Sequence, residues 1–152
     1  MTVDSPIGPL TIVVDDHERL SELRFGGPIG SEAPAPMPPS CRQVVAQLGE
    51  YFAGKRQTFD LELGMRGTEF QLAVWNELLR IPFGETISYA ELARRIGRPA
   101  AVRAVGAANG ANPIPVIVPC HRVIGTNGSL TGYGGGIERK QWLLAHEGRR
   151  LF

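Results

Sequence analysis

The segment TEFQLAVWNELLRIPFGETISYAELARRIGRPAAVRAVGAANG, residues 68–110, determines the architecture of the second half of this chain. It contains two helix starts of the same kind, because Thr68 is followed three residues later by Gln71, and Ser88 in the same way by Glu91. This spacing is typical of a capping box, in which each side chain of the pair accepts a hydrogen bond from the other residue's backbone N–H. Each pair precedes apolar residues at helical spacing, so the stretch predicts a series of helices.

The residues after Ser88 predict two short helices joined by a tight turn. The first helix, SYAELARRI, is expected to end at Gly97. Pro99 is expected at the first position of the next helix, where a missing N–H costs nothing. Two short helices around a glycine-containing turn are typical of a helix-turn-helix. We therefore predict a mostly helical C-terminal domain over residues 66–152.

The N-terminal part of the chain has a different pattern. Apolar and β-branched runs at 9–14 and 20–25 flank a polar turn and predict a β-hairpin. The proline- and glycine-rich stretch 26–39 is interpreted as an exposed, mobile loop, and apolar residues at helical spacing predict a helix over 40–54. We expect this helix to pack on a small antiparallel sheet, in an α/β domain over residues 1–65.

The composition is that of a globular protein, since 43% of the 152 residues are hydrophobic and 20% are charged. A chain of this length buries enough surface to fold without disulfides, so Cys41 and Cys120 are interpreted as free thiols of a cytoplasmic protein. No apolar run approaches the roughly 20 residues that span a bilayer, and no membrane association is expected.

The charge is distributed unevenly along the chain. Residues 1–65 contain five basic and nine acidic side chains, whereas residues 66–152 contain eleven and six. The N-terminal part therefore has a net charge of −4 and the C-terminal part +5. A nucleic-acid partner is expected to bind the C-terminal half.

One face of the helix predicted to begin at Pro99 carries almost no large side chains. Arg103, Gly106, Ala107 and Gly110 follow one another at positions i, i+3, i+4 and i+7. Glycine weakens a helix interior by up to about 1 kcal/mol relative to alanine, so this face is expected to meet something bulky at close range. Either another helix packs against the small residues, or DNA does, with Arg103 entering a groove. The local pattern favours neither.

The segment NPIPVIVPCHRVIG, residues 112–125, contains the candidate nucleophile. Its prolines predict an extended, buried segment that ends at Cys120. A lone cysteine is more often a small buried hydrophobe, but the adjacent His121 can take the proton of the thiol. Adjacent side chains of an extended segment diverge, so a bridging water or a local turn is required. The imidazole needs an acceptor on its other nitrogen, and several acids could supply it.

Other chemistries lack the residues that they need. Cys41, His17 and His146 are isolated and there is no CxxC pair, so no structural metal site is predicted. The run GYGGG at 132–136 lacks the Lys-Ser/Thr and the setting of a phosphate-binding loop. We interpret it either as backbone that lets a flat ligand approach, with Tyr133 inside it, or as a flexible loop.

Taken together, these strings resemble a known family. RAVGAANGANPIP and PCHRVIG, within residues 103–125, are followed by GYGGG at 132–136 and WLLAHEG at 142–148. At these distances the combination is specific and resembles the O6-alkylguanine-DNA alkyltransferases. The resemblance implies a ribonuclease H-like N-terminal domain and a winged helix-turn-helix C-terminal domain. It also implies DNA repair by irreversible transfer of the alkyl group from guanine O6, with activity on O4-alkylthymine left open.

The resemblance assigns the reaction to three residues. Cys120 would accept the alkyl group once per molecule, His121 would deprotonate it through a bound water, and Glu147 would hold the histidine. No cofactor and no metal are implied. The alternative is a non-catalytic lesion-binding or winged-helix DNA-binding protein. A cysteine hydrolase is weaker still, because no oxyanion arrangement is evident.

The resemblance also implies the partner, which is double-stranded DNA containing alkylated guanine. A protein that is monomeric when free would bind it through the minor groove. Arg103 would fill the gap left by the extruded nucleotide, and Tyr89 would turn the 3′ phosphate. Gly106, Ala107 and Gly110 would complete the DNA-binding face.

Further residues are implied to form the pocket for the base. Asn112 would pin the turn after the recognition helix, and Tyr133 would donate its hydroxyl to N3 of guanine. Backbone groups of Cys120 and Val123 would recognise the exocyclic amine. Gly134 stands where some family members have serine, so backbone N–H groups would have to serve the guanine oxygen.

Overall fold

The computed structural model describes residues 1–27, 39–130, 133 and 135–148. The chain divides into two compact units, Met1–Arg66 and Gly67–Phe152. The predicted proline-rich loop falls largely on residues 28–38, which lie outside the described residues, as do Gly132 and Gly134 of the glycine run.

The first unit is a three-stranded antiparallel sheet with one helix. The strands follow chain order and comprise β1 Thr2–Val3, β2 Leu10–Val14 and β3 Leu20–Phe25. Strands β2 and β3 form the predicted hairpin, and helix α1, Pro39–Phe52, packs on both. The buried apolar residues of this unit include Leu10, Leu20, Leu23, Val44, Leu48 and Tyr51. The predicted α/β class is confirmed.

The second unit is mostly helical, as predicted. Its elements are α2 Glu69–Leu78, β4 Ile87–Ser88, α3 Tyr89–Arg95, α4 Val102–Gly110, a 3-10 turn Cys120–Arg122, β5 Val123–Ile124 and α5 Ile137–His146. Helices α2, α3 and α4 pack against one another, and β4 pairs in parallel with β5. Helix α3, which packs on α4, therefore lies beside the strand that directly follows the cysteine turn.

The two predicted capping boxes differ in the structure. At the start of α2 the box is complete, because Thr68 Oγ1 accepts from the Gln71 N–H at 3.1 Å and Gln71 Oε1 accepts from the Thr68 N–H at 3.0 Å. At the start of α3 only Ser88 caps, accepting from the Glu91 N–H at 3.0 Å. The Glu91 carboxylate instead accepts hydrogen bonds from two arginines of its own helix, Arg94 and Arg95.

Helix α4 begins at Val102, so the prediction that Pro99 opens it is wrong. The N–H of Ala101 donates to the carbonyl of Arg98 at 2.9 Å, which closes a turn around Pro99. Proline fits the second position of such a turn because its fixed φ matches. The proline therefore belongs to the turn of the helix-turn-helix, and the helix starts only after it.

The prediction of an extended segment before the cysteine is also wrong. Residues 113–118 form consecutive turns, in which the Val118 N–H donates to the Ile114 carbonyl at 2.9 Å. Val116 has a φ of 74°, in the left-handed region that β-branched residues rarely adopt. The predicted burial does hold, since residues 114–120 are all buried.

A buried indole fixes the end of α4 against α2. Trp75 Nε1 donates to the carbonyl of Ala108 at 2.8 Å, across 33 residues of sequence. Both partners are buried, so the bond forms away from water. Among the described residues, no helix combines the length and the apolar character that crossing a membrane requires.

Candidate active site

Cys120 opens the 3-10 turn that links the buried turns to β5, and it is only 4% exposed. The N–H of Arg122 donates to the Pro119 carbonyl, and the N–H of Val123 donates to the Cys120 carbonyl. Of the two possibilities left open by the sequence, a bridging water or a local turn, the structure contains the turn. Cys120 and His121 therefore do not follow the alternation of a strand.

Glu147, at the C-terminal end of α5, is the carboxylate that lies against His121. Its Oε2 accepts from His121 Nε2 at 2.8 Å and from Arg122 Nη2 at 2.9 Å. Its Oε1 accepts from Arg122 Nε at 2.7 Å. Burial alone would raise the pKa of Glu147, but these charge-assisted bonds outweigh it and hold the pKa far below its usual range. Glu147 is therefore a buried carboxylate anion at neutral pH.

His121 is fully buried and has one ring nitrogen available for chemistry. Its Nε2 must carry the proton, because ionised Glu147 can only accept. Its Nδ1 has no hydrogen-bond partner among the described residues. Burial lowers the pKa of His121 despite the neighbouring carboxylate, so the ring is neutral at pH 7. A buried base with an unoccupied lone pair thus follows the cysteine directly in sequence.

The thiol of Cys120 keeps its proton in the resting protein. Burial raises its pKa to about 11, although a hydrogen bond from Asn112 and the nearby charge of Lys140 act in the opposite direction. The thiolate is the nucleophilic form of cysteine. Reaction at neutral pH therefore requires a base.

Arg122 holds Glu147 in place, although no motif in the sequence singled it out. Besides its two bonds to Glu147, its Nη1 donates to the Ile81 carbonyl at 2.6 Å. The guanidinium also lies 5.8 Å from the ring centre of Phe83. The available signal was a basic residue directly after the Cys-His pair, inside an otherwise buried segment.

Lys140 is a second buried cation that the sequence analysis missed. It is 0% exposed, and its Nζ donates to the Val123 carbonyl at 2.6 Å and lies 5.9 Å from the ring centre of Tyr89. Burial lowers the pKa of Lys140 to about 8. The signal in the sequence was its spacing, because Leu143 and Leu144, three and four residues later, are both core residues.

Two asparagines hold the backbone around Cys120. Asn112 Nδ2 donates to the Val118 carbonyl at 2.7 Å, while its Oδ1 accepts from the Ile114 N–H at 3.0 Å. Asn109 Nδ2 donates to the Cys120 carbonyl at 3.3 Å. Asn112 was singled out from the sequence, whereas Asn109 was not. Asn109 lies in the last turn of α4, and Asn112 follows shortly after the end of that helix.

The two tyrosines expected at the site differ in burial and in surroundings. Tyr133 is 8% exposed, and burial, together with the nearby Cys120, raises its pKa well above the usual value, so the hydroxyl remains a donor. Tyr89 is half-buried at the first position of α3. A Cβ built on Gly106 would lie 3.9 Å from Tyr89 Cδ1, so Tyr89 borders the small face of α4.

The small face of α4 lies mostly at the surface of the described part of this unit. Arg103, Ala107 and Gly110 are exposed and Gly106 is half-buried. The opposite face, with Val105, Ala108 and Asn109, is buried. Helix-on-helix packing therefore does not account for the small residues within this unit. No group of three or more His, Cys, Asp or Glu side chains in the described ranges could hold a metal ion.

Two family models match the chain. Residues 1–65 match the ribonuclease-like domain of 6-O-methylguanine DNA methyltransferase, and residues 69–149 match its DNA binding domain. The chain belongs to this family. The match confirms both the family resemblance and the two-part fold predicted from the sequence.

Individual members of the family are similar over nearly the whole chain. The methylated-DNA--protein-cysteine methyltransferase of Mycolicibacterium paratuberculosis is 54% identical over 151 residues, covering 97% of this chain and 91% of that protein. The crystal structure of Mycobacterium tuberculosis OGT in complex with DNA has 55% identity and a TM-score of 0.86, covering 96% of this chain and 90% of that one.

A more distant structure is that of S. pombe Atl1 in complex with damaged DNA containing O6-carboxymethylguanine. It is 33% identical with a TM-score of 0.52, and it covers 58% of this chain and 83% of its own. The similarity to Atl1 is thus confined to little more than half of this chain, whereas the two mycobacterial proteins match nearly all of it.

Proposed function

We propose that this protein repairs DNA by transferring the alkyl group of O6-alkylguanine to Cys120, in an irreversible reaction that uses each molecule once. One observation carries the proposal. Cys120, His121 and ionised Glu147 are all buried, and the carboxylate of Glu147 accepts a hydrogen bond from His121. Membership of the 6-O-methylguanine DNA methyltransferase family supports the same reaction. The non-catalytic alternative is not favoured, because the relatives that match nearly the whole chain are named methyltransferases.

His121 is proposed to act as the base. The thiol, with a pKa of about 11, must lose its proton before it can attack. His121 Nδ1, which has no partner among the described residues, takes this proton through a bound water. The imidazolium that forms is stabilised by the carboxylate of Glu147 on Nε2. The proton and the charge are thus both accommodated inside the protein.

The transfer itself is an in-line displacement at the alkyl carbon. The S–C bond forms as the C–O6 bond breaks, and the bonding electron pair passes to the guanine. Tyr133 donates its hydroxyl to N3 and stabilises the charge that develops on the ring. The product is a thioether, which no hydrolytic step in this site cleaves. The reaction requires no cofactor.

The damaged base must leave the duplex before it can reach a buried thiol, at a cost of a few kcal/mol. Arg103, exposed on α4, is proposed to enter from the minor groove and fill the gap. Gly106, Ala107 and Gly110 let the backbone of α4 approach the duplex closely. Tyr89, which borders this face, turns the 3′ phosphate.

The backbone near the acceptor is proposed to recognise the base. Backbone groups of Cys120 and Val123 recognise the exocyclic amine, and Lys140 holds the Val123 carbonyl in place. Asn112 pins the turns that lead to the cysteine. Gly134 leaves the guanine oxygen to backbone N–H groups. We place the protein in the cytoplasm, as a monomer when free of DNA.

Intact-protein mass spectrometry tests the function. After incubation with a duplex oligonucleotide containing O6-methylguanine, the protein is expected to gain the mass of one methylene group, on Cys120 alone. Cys120→Ala should gain nothing and still bind the oligonucleotide. Cys41→Ala, which removes the other cysteine of the chain, should react like the wild type. An unmodified wild type that binds the lesion tightly would favour the non-catalytic alternative.

A further inference from the structure

Asn109 is a buried polar residue for which the proposed reaction has no task. It lies in the last turn of α4 and is 1% exposed. Its Nδ2 donates to the Cys120 carbonyl at 3.3 Å, whereas its Oδ1 is buried without a hydrogen-bond partner in the described part of the chain. A buried acceptor without a donor destabilises the folded state. An apolar side chain of similar size would suit the core better, so stability alone does not explain an asparagine here.

The hydrogen bond from Asn109 ends on the peptide group that connects the alkyl acceptor, Cys120, to the catalytic base, His121. The Cys120 carbonyl belongs to the peptide between Cys120 and His121, and it also accepts from the Val123 N–H within the 3-10 turn. Two donors therefore fix the plane of this peptide. That plane affects the orientation of both the thiol and the imidazole, because the peptide joins their two Cα atoms.

The same hydrogen bond links Cys120 to α4, the helix proposed to face the DNA. Arg103 is exposed in the first turn of α4, and Asn109 is buried in its last turn. The far end of the helix is anchored on α2 by the Trp75 indole, which donates to the Ala108 carbonyl. The hydrogen bond from Asn109 to Cys120 thus joins a rigid helix to the reacting residue across 11 residues of sequence.

We propose that Asn109 is a positioning residue for alkyl transfer, which orients the peptide between Cys120 and His121 by donating to the Cys120 carbonyl. This inference rests on the proposed function, in which Cys120 accepts the alkyl group and α4 meets the DNA. This role requires the hydrogen-bond donor of the Asn109 side chain and does not depend on the shape of that side chain.

The first test is Asn109→Leu, which keeps the approximate volume and removes both the donor and the unpartnered acceptor. Since an unpartnered buried acceptor is lost, the melting temperature should stay the same or rise. The maximal single-turnover rate at saturating O6-methylguanine duplex should fall roughly tenfold, because a small misplacement of reacting groups is costly. The duplex concentration that gives half of that rate should not change.

The second test uses pH to restore the donor. In Asn109→Asp an ionised carboxylate cannot donate, but a protonated one can. The ratio of the variant rate to the wild-type rate should therefore rise as the pH is lowered from 8.5 to 6. Titration of the groups around the site, Cys120, His121, Lys140 and Glu147, affects both proteins and largely cancels in this ratio. Asn76→Asp, which adds the same charge at an exposed position of α2, should give a ratio independent of pH.

The outcomes separate the inference from the proposed function. A wild type that never transfers the methyl group would overturn the proposed function itself. A wild type that reacts while Asn109→Leu reacts equally fast would overturn only the inference. If Asn109→Leu does not fold, the decision passes to Asn109→Asp, and a ratio that stays flat with pH would reject the role of the donor.

Discussion

At the scale of single residues, the carboxylate of Glu147 serves two partners with different tasks. Glu147→Gln would leave the guanidinium of Arg122 buried without its counter-charge, and loss of one member of such a pair costs about 3–5 kcal/mol. It would also remove the charge that stabilises a His121 imidazolium. We expect the free energy of unfolding in urea to fall by about 3 kcal/mol or more, and the single-turnover rate to fall roughly 10²- to 10⁴-fold.

The control for Glu147→Gln is Arg122→Met, which removes the other partner. The bond between His121 and Glu147 remains possible in this variant, because it does not involve the guanidinium. Stability should fall by a similar amount, but the transfer rate should fall by less than about tenfold. If both variants lost the same rate, Glu147 would act through general stability rather than through His121.

Lys140 gives stability a pH dependence of definite sign. Its pKa is lowered by burial from the ordinary 10.5 to about 8, so between these values the unfolded chain binds more protons than the folded one. Stability from this group therefore rises with pH over that interval. We expect the advantage of the wild type over Lys140→Met, measured by urea unfolding, to be smallest below pH 8 and to grow toward pH 10.5.

The raised pKa of Cys120 acts in the opposite direction over part of the same range. Its contribution to stability is complete below its ordinary pKa of 9.0 and is lost as the pH rises through about 11. Because both the wild type and Lys140→Met retain the buried Cys120, the part of this effect that comes from burial of the thiol cancels in their difference. A difference that did not change with pH would mean that the buried amine does not titrate below its ordinary range.

At the scale of elements, the glycines on the outer face of α4 lower the stability of the helix but keep that face free of large side chains. A Cβ on Gly106 would meet only Tyr89, at the ordinary contact distance of 3.9 Å. Gly106→Ala should therefore fit the free protein and stabilise it by up to about 1 kcal/mol in urea unfolding. If this face approaches DNA closely, the same methyl group should weaken duplex binding several-fold in a fluorescence titration.

A matched control for Gly106→Ala exists in the other unit. Gly49 is an exposed glycine of α1, and a Cβ there would have nothing within 4 Å. Gly49→Ala should give a comparable gain in stability and leave duplex binding unchanged. Equal binding by both alanine variants would remove Gly106 from the DNA interface.

The elements of this fold could be predicted where their signals are local. The hairpin, α1 and the capping box at Thr68 depend on residues within a few positions of one another, and all three are present. The capping box at Ser88 is only half formed, because Glu91 has competing arginines one turn further along its helix. The turns at 113–118 were predicted as extended, since the φ of proline suits turns and extended chain equally well.

The candidate site was predictable only in part, for the same physical reason. The pairing of Cys120 with His121 could be inferred from chemistry between neighbours, whereas the choice of Glu147 came only from the family resemblance. Arg122, Lys140 and Asn109 were missed because their partners lie 25, 17 and 11 residues away along the chain. Contacts of this kind depend on tertiary packing, which periodicity does not encode.

At the scale of the whole molecule, the charges are separated between an acidic N-terminal and a basic C-terminal half. Phosphate contacts release counterions, so the logarithm of duplex affinity should fall linearly with the logarithm of salt concentration. Arg103 is exposed and makes no ion pair with any described residue. Arg103→Gln should therefore reduce the magnitude of this slope by up to about one, whether or not the base is flipped.

An arginine in the acidic half provides the control for the salt dependence of duplex affinity. Arg24 lies on β3 and is paired with Glu22, so its charge is already compensated within its own unit. Arg24→Gln should leave the slope unchanged, because counterions are released only where the protein neutralises phosphates. If Arg24→Gln and Arg103→Gln reduced the slope equally, DNA would respond to the net charge of the chain rather than to the basic half. The assignment of the interface to α4 would then have to be withdrawn.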